Sequence, residues 1–197
     1  MIEPLLFLYI YALHKTQNAS KARVYFSAAN AAFLSLIATT TLVTNPAIQD
    51  PHYLLRQPEQ VWLSDYIAAF FATDLFLGHL DGGLNMVTGY IHHSVYIGLA
   101  LYIKSQQQSN LIFLCLPFEI PTLILDLHKL YPTFNYKPAF GSTFLLFRLA
   151  MNAYMIEHVS YLGPTYRNIS IAMLLTHIAW FIQWSLKIAA QHRGNEE

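Results

Sequence analysis

Two adjacent histidines, His92 and His93, stand inside an apolar stretch long enough to cross a bilayer. Histidine is costly in hydrocarbon, so an intramembrane pair points to a functional site facing other helices or a cavity. A neutral imidazole beside a carboxylate takes a proton from an amine or hydroxyl. It can also attack a thioester and carry the acyl group as an acyl-imidazole. The carboxylate fixes the tautomer and stabilises the cation. Asp74, Glu119 and Asp126 stand in neighbouring apolar stretches and qualify as that partner, and Arg148 in a further stretch offers a countercharge. Neighbours on a helix point about 100° apart, so one histidine can face a cavity while the other touches the next helix.

The same periodicity groups the remaining polar residues. Asn85, Thr88, His92 and Tyr96 fall on one side of Leu84–Ile103, and Cys115, Glu119, Thr122 and Asp126 on one side of Leu111–Leu127. Asp74, Gly78 and Asp81 share a face, and Arg148 and Asn152 are one turn apart. Facing lipid, such stripes are unstable, at about 2.5–3.5 kcal/mol per central charge. Facing one another, they build a polar interior. Asn85, Thr88, Thr122 and Asn152 read first as hydrogen-bonded bridges between helices, and with Tyr96, Asp126 and Arg148 as the lining of a lipid-binding cavity.

The elements that position these residues are apolar runs separated by polar loops. Ile2–Leu13, Val24–Val43, Val61–Leu80, Leu84–Ile103, Leu111–Leu127, Phe140–Tyr154 and Ile169–Ile188 predict an all-α, multi-pass transmembrane helix bundle of about seven spans. The first run is short against the roughly 20 residues of a crossing, so six spans plus a short N-terminal helix is the alternative. Residues 1–197 read as a single membrane domain. Of the 197 residues, 55% are hydrophobic and 11% charged, too apolar for the core that a soluble chain of this size builds. Zero net charge argues against a nucleic-acid partner. The single Cys115 excludes an intramolecular disulfide, and the acidic opening Met1-Ile2-Glu3-Pro4 disfavours a cleaved signal peptide.

Seven crossings place Lys15, Lys21, Arg23, Lys129, Lys137, Lys187 and Arg193 on one side and Arg56, Lys104 and Arg167 on the other. That bias predicts a cytosolic C-terminus. The sequon at Asn18 then lies in the cytosol and that at Asn168 against the membrane, so neither is expected to carry a glycan. Metal chemistry is not expected. No HExxH or GxSxG occurs, Gly89 stands three before His92, and no histidine box of the di-iron kind is present. His14, His52, His79, His128, His158, His177 and His192 read as loop or helix-end residues.

The chain resembles the TLC-domain family of translocation-associated membrane proteins, ceramide synthases and a ceroid lipofuscinosis protein. Ser27-Ala28-Ala29-Asn30-Ala31 resembles its Ser-x-x-His-Ala element, with Asn30 in place of histidine. Phe71-Ala72-Thr73-Asp74-Leu75 resembles its aromatic-x-x-Asp span, and His92-His93 its histidine pair. Glu119-Ile120-Pro121-Thr122 followed by Asp126 resembles its Glu-x-Ser-Thr-Pro element, and Phe147-Arg148 a late Phe-Arg. The likeness covers roughly residues 22–187 and is greatest to the small TLC-domain-containing branch, because the synthases' His-Asp is missing. It implies a protein of the endoplasmic reticulum or another endomembrane that binds or regulates membrane lipids. It also implies an alternative, an acyltransferase taking acyl-CoA as cosubstrate, with His92 or His93 as nucleophile or base and Asp74 or Glu119 orienting it. A third reading is a secretory-pathway cargo receptor or translocation accessory. The expected partners are membrane lipids or acyl chains, with a second copy or another membrane protein as a further option.

Overall fold

Asn18 opens the first long helix by accepting a hydrogen bond from the Lys21 amide at 2.8 Å, satisfying a donor that the helix start leaves free. This helix, α1 (Ala19–Thr44), is followed by the short α2 (Pro51–Leu55), with Asp50 capping and proline at its first position. Next come α3 (Val61–Leu80), a π-helical turn (Met86–Ile91) and α4 (His92–Ser105). Two 3₁₀ segments (Ser109–Leu114 and Leu116–Phe118) lead into α5 (Glu119–Leu130). Then follow α6 (Lys137–Thr143), a second π turn (Phe144–Ala150), α7 (Met151–Val159), a 3₁₀ turn (Ser160–Leu162) and α8 (Pro164–Arg193). This computed structural model describes residues 9–14, 16–45, 47 and 50–193, and among the described residues there is no strand.

Among the described residues, five helices are long and apolar enough to cross a membrane: Ala19–Thr44, Val61–Leu80, Ser109–Leu130, Lys137–Leu162 and Pro164–Gln191. The expected span Ile2–Leu13 lies mostly outside the described residues. Met86–Ser105, which holds the expected fourth span, is continuous helix but not among the five, because two histidines and Lys104 dilute its hydropathy.

Two compact units divide the chain, Met1–Tyr136 and Lys137–Glu197. In the first, α3 packs mainly on α4 and α1 on α5 and α3. Its core is Phe26, Leu34, Leu63, Phe70 and Phe71, with the Phe26 and Phe70 rings 5.5 Å apart. In the second, α7 and the π turn pack on α8, with Phe144 of the π turn against Phe181 at 5.5 Å, and Phe140 of α6 stands against Trp184 at 5.1 Å.

Several departures from ideal helix trace to individual residues. Pro117 has no N–H, so the carbonyl four residues before it gains no helical partner. The chain there tightens into i→i+3 bonding, Cys115 N–H to Ile112 O at 2.9 Å and Phe118 N–H to Cys115 O at 3.0 Å. The expected continuous face from Cys115 to Asp126 therefore begins only at Glu119. At the π turn, the Asn85 carbonyl accepts from both Gly89 N–H (2.9 Å) and Tyr90 N–H (3.1 Å), which widens the ring by one residue. Gly82, with φ of +66°, turns the chain after α3, a conformation that glycine adopts without penalty.

Candidate functional site

Asp74 sits on α3 and His93 on the first turn of α4, and the two meet in the interior of the first unit. His93 Nε2 lies 3.4 Å from Asp74 Oδ2, and the residues are 8% and 7% exposed. The separation is that of an ion pair rather than a tight hydrogen bond. The outer atoms of the pair, Asp74 Oδ1 and His93 Nδ1, are buried with no hydrogen-bond partner among the described residues. Each such atom costs about 1–3 kcal/mol when nothing satisfies it, so the arrangement is expensive for packing alone.

Phe71, one turn before Asp74 on α3, walls the pair. Its ring centroid is 5.8 Å from that of His92, 5.4 Å from His93 and 5.0 Å from Tyr96, while His92 and Tyr96 are 4.4 Å apart. Phe71 and Tyr96 also line a cavity of about 40 Å³ with Ala100, Ile112, Cys115 and Glu119. A single water needs roughly 10–15 Å³ by the same measure, so this space takes a few small groups and not an extended acyl chain.

The other expected residues divide. Glu119 reaches the cavity wall, and Thr122 is half-buried on α5. Asp126 is 1% exposed and bonds Lys129 Nζ at 2.7 Å, one turn along its own helix. Asn85 is exposed at the head of the π turn, whose extra residue breaks the register linking it to His92. The Thr88 side chain lies outside what the structure describes. Arg148 and Asn152 belong to the second unit, 9% and 0% exposed. The Arg148 guanidinium lies over the rings of Phe144 (5.5 Å) and Trp180 (5.9 Å).

His177 corrects the sequence reading: it is no loop or helix-end residue but is buried at 1% exposure in the middle of α8. Its Nδ1 lies 3.2 Å from the Arg148 carbonyl, at the π turn. With its amide oriented by these neighbours, Asn152 donates to Ser170 O at 3.2 Å and accepts from Leu174 N–H at 3.1 Å and His177 Nδ1 at 3.3 Å. The amide thus inserts into the α8 ladder like a peptide group, and His177 ties the π turn to it.

Four features of the first unit escape a reading of helix faces. Arg23 on α1 pairs with Asp81 at 2.9 Å, and the two side chains are 17% and 4% exposed. Lys104 pairs with Asp65 at 2.6 Å. Asn30, 2% exposed on α1, accepts a hydrogen bond from Tyr66 OH at 2.6 Å. Asn110, 3% exposed, donates to the carbonyls of Leu54 (3.0 Å), Gln57 (3.2 Å) and Pro58 (3.2 Å) and accepts from Gln60 N–H (2.8 Å). For the two ion pairs the available signal was charge balance, since an aspartate in an apolar helix demands a base; the Asn30 and Asn110 bonds had no such signal.

Among the described residues no group of three or more histidine, cysteine or acidic side chains is placed to hold a metal ion. No family model, curated protein or solved structure matches the chain.

Proposed function

We propose that this is a multi-pass membrane protein of the TLC-domain kind that binds or regulates membrane lipids through the centre formed by Asp74, His92 and His93. The observation that carries the reading is the buried Asp74–His93 pair, with two unsatisfied polar atoms, walled by Phe71 in a unit whose helices are apolar enough for a membrane. Polar atoms left open inside such a bundle are expensive to retain without a use. The cavity beyond Phe71, about 40 Å³, has room for one end of a lipid rather than a whole acyl chain, which supports recognition or regulation over turnover.

A second reading, acyl transfer from acyl-CoA, is supported by the carboxylate held against His93 Nε2, which leaves Nδ1 as the nitrogen free to attack or to accept a proton. One experiment separates the two. The protein is purified in lipid nanodiscs, incubated with acyl-CoAs and candidate acceptors, and examined by mass spectrometry. A retained lipid lost on substitution of Asp74 or His93, without product, supports binding. An acylated product, or an acyl adduct on either histidine, supports transfer. Neither outcome, with the fold intact, sinks both.

On topology we infer seven crossings with the C-terminus in the cytosol, from the side on which lysine and arginine accumulate. A glycan on Asn18 would overturn that arrangement. Residence in the endoplasmic reticulum belongs to the same proposal and is checked by imaging a tagged chain.

A further inference from the structure

The cavity of the first unit has two sides that differ in kind. Leu34 of α1 and Ile67 and Phe71 of α3 form one side, and all three are buried. On the other stand Tyr96 and Leu99 of α4, Cys115 between the 3₁₀ segments and Glu119 at the start of α5, all half-exposed. Every side-chain oxygen or sulfur of the lining belongs to this second side. The space therefore opens between α4 and the Cys115–Glu119 segment and becomes purely apolar inward. A void larger than a water is rare in a packed interior, and one walled by apolar groups stays dry. Asp74, His92 and His93 do not line it, although Phe71 touches both histidine rings and the cavity alike.

From this arrangement we infer that the cavity is a site for the methyl end of a lipid chain, which enters past Tyr96 and Glu119 and ends against Leu34. The inference rests on the lipid-binding reading above and names the part of the ligand that this cavity takes. A polar headgroup would exchange water for inner walls with no hydrogen-bonding side chain, and each polar atom so stranded is costly. A hydrocarbon end carries no such cost, and the bilayer around the helices is its source. At about 40 Å³, against the roughly 10–15 Å³ of one water, the cavity holds about three carbon-sized groups, so the rest of the chain stays outside. Ala100, 2% exposed, is the smallest residue of the lining, and its size sets how much of the chain is admitted.

The test uses the full chain in nanodiscs with three photoreactive probes. One lipid carries a diazirine at its methyl end, the same lipid carries it beside the polar group, and the third probe is a short free alkane. Cross-links are mapped to residues by mass spectrometry. Ile112 and Leu116, 5% and 1% exposed in the lining, report entry, while Val95 and Leu101, 54% and 50% exposed on α4, report contact with the bilayer alone. The methyl-end probe is expected to label both sets and the polar-end probe to spare the lining. Ala100→Leu denies the chain room for about two methylenes and should lower the ratio of lining to surface labelling roughly tenfold. Ile103→Ala enlarges the lining and should raise that ratio, which decides the matter if the leucine variant does not fold. A ratio unchanged in folded variants, or stronger labelling of the lining by the polar-end probe, overturns the assignment. Labelling of the lining by the free alkane and not by the lipid assigns the cavity to a small hydrocarbon and overturns it too. A lipid that co-purifies and is lost on Asp74→Ala, with the lining unlabelled by every probe, overturns the chain-end site and leaves lipid binding standing. No co-purifying lipid and no labelling of the lining overturns both.

Discussion

Replacing Asn110 with alanine should be among the most damaging single changes outside the Asp74–His93 centre. Its amide nitrogen has two hydrogens shared over three carbonyls, and its oxygen holds the Gln60 N–H, so three hydrogen bonds' worth of backbone groups depend on it. At about 1 kcal/mol net per bond, the loss is about 3 kcal/mol, or roughly two orders of magnitude in the folding equilibrium. The damage should be local first, because Asn110 ties the segment Leu54–Gln60 to the 3₁₀ segment that contributes Ile112 to the cavity wall. Asn110→Asp keeps the acceptor for Gln60 but turns a carboxylate oxygen toward three carbonyls, so it should be at least as harmful. The assay is thermal unfolding in detergent combined with hydrogen exchange read peptide by peptide. An aspartate variant milder than the alanine variant, or losses below about 1 kcal/mol in both, would refute the reasoning.

Three further outcomes are expected. Arg23→Ala strands the nearly enclosed Asp81 and should cost about 3–5 kcal/mol, whereas the double change Arg23→Met with Asp81→Asn should recover most of it; unfolding of the three variants compares them. Gly78→Ala places a Cβ 2.5 Å from Leu84 Cγ and 2.8 Å from Arg23 Nη1, so it should cost about 1–3 kcal/mol, measured by the same melts. His177→Leu removes the donor to the Arg148 carbonyl and should lower stability by about 1–3 kcal/mol and shift Trp180 fluorescence, while His177→Gln, which keeps an N–H, should do less of both.

The helices and the central pair were legible because both are written in local periodicity. Apolar runs gave α1, α3 and α8 to within a few residues, and Asp74 and His93 stood out as polar groups in the wrong solvent. What periodicity does not carry is the ladder itself. The two π turns insert a residue into otherwise regular helices, so Asn85 falls out of line with His92, and nothing in the side chains around Met86 signals it. Pro117 did signal the 3₁₀ segment, as a missing donor in the middle of an expected span. His177 was misread because polar residues near the end of a chain look like termini, although it sits deep within α8 against the Arg148 carbonyl of the π turn. Arg23 and Lys129 lay near the expected span boundaries, where a cation reads as a topology marker and its acid partner is invisible.

The ion pairs also impose an order on biosynthesis. Arg23 and Asp81 are 58 residues apart, and Asp65 and Lys104 are 39 apart. At roughly 5–20 residues per second, Arg23 emerges about 3–12 s before its counterion exists. Asp74, on α3, likewise precedes His93 on the following helix. The nascent chain therefore carries unmatched charges until α4 has been made, and α1 through α4 are the smallest length of chain in which these three pairs are closed. A ribosome paused earlier would present the insertion machinery with helices that still need its protection.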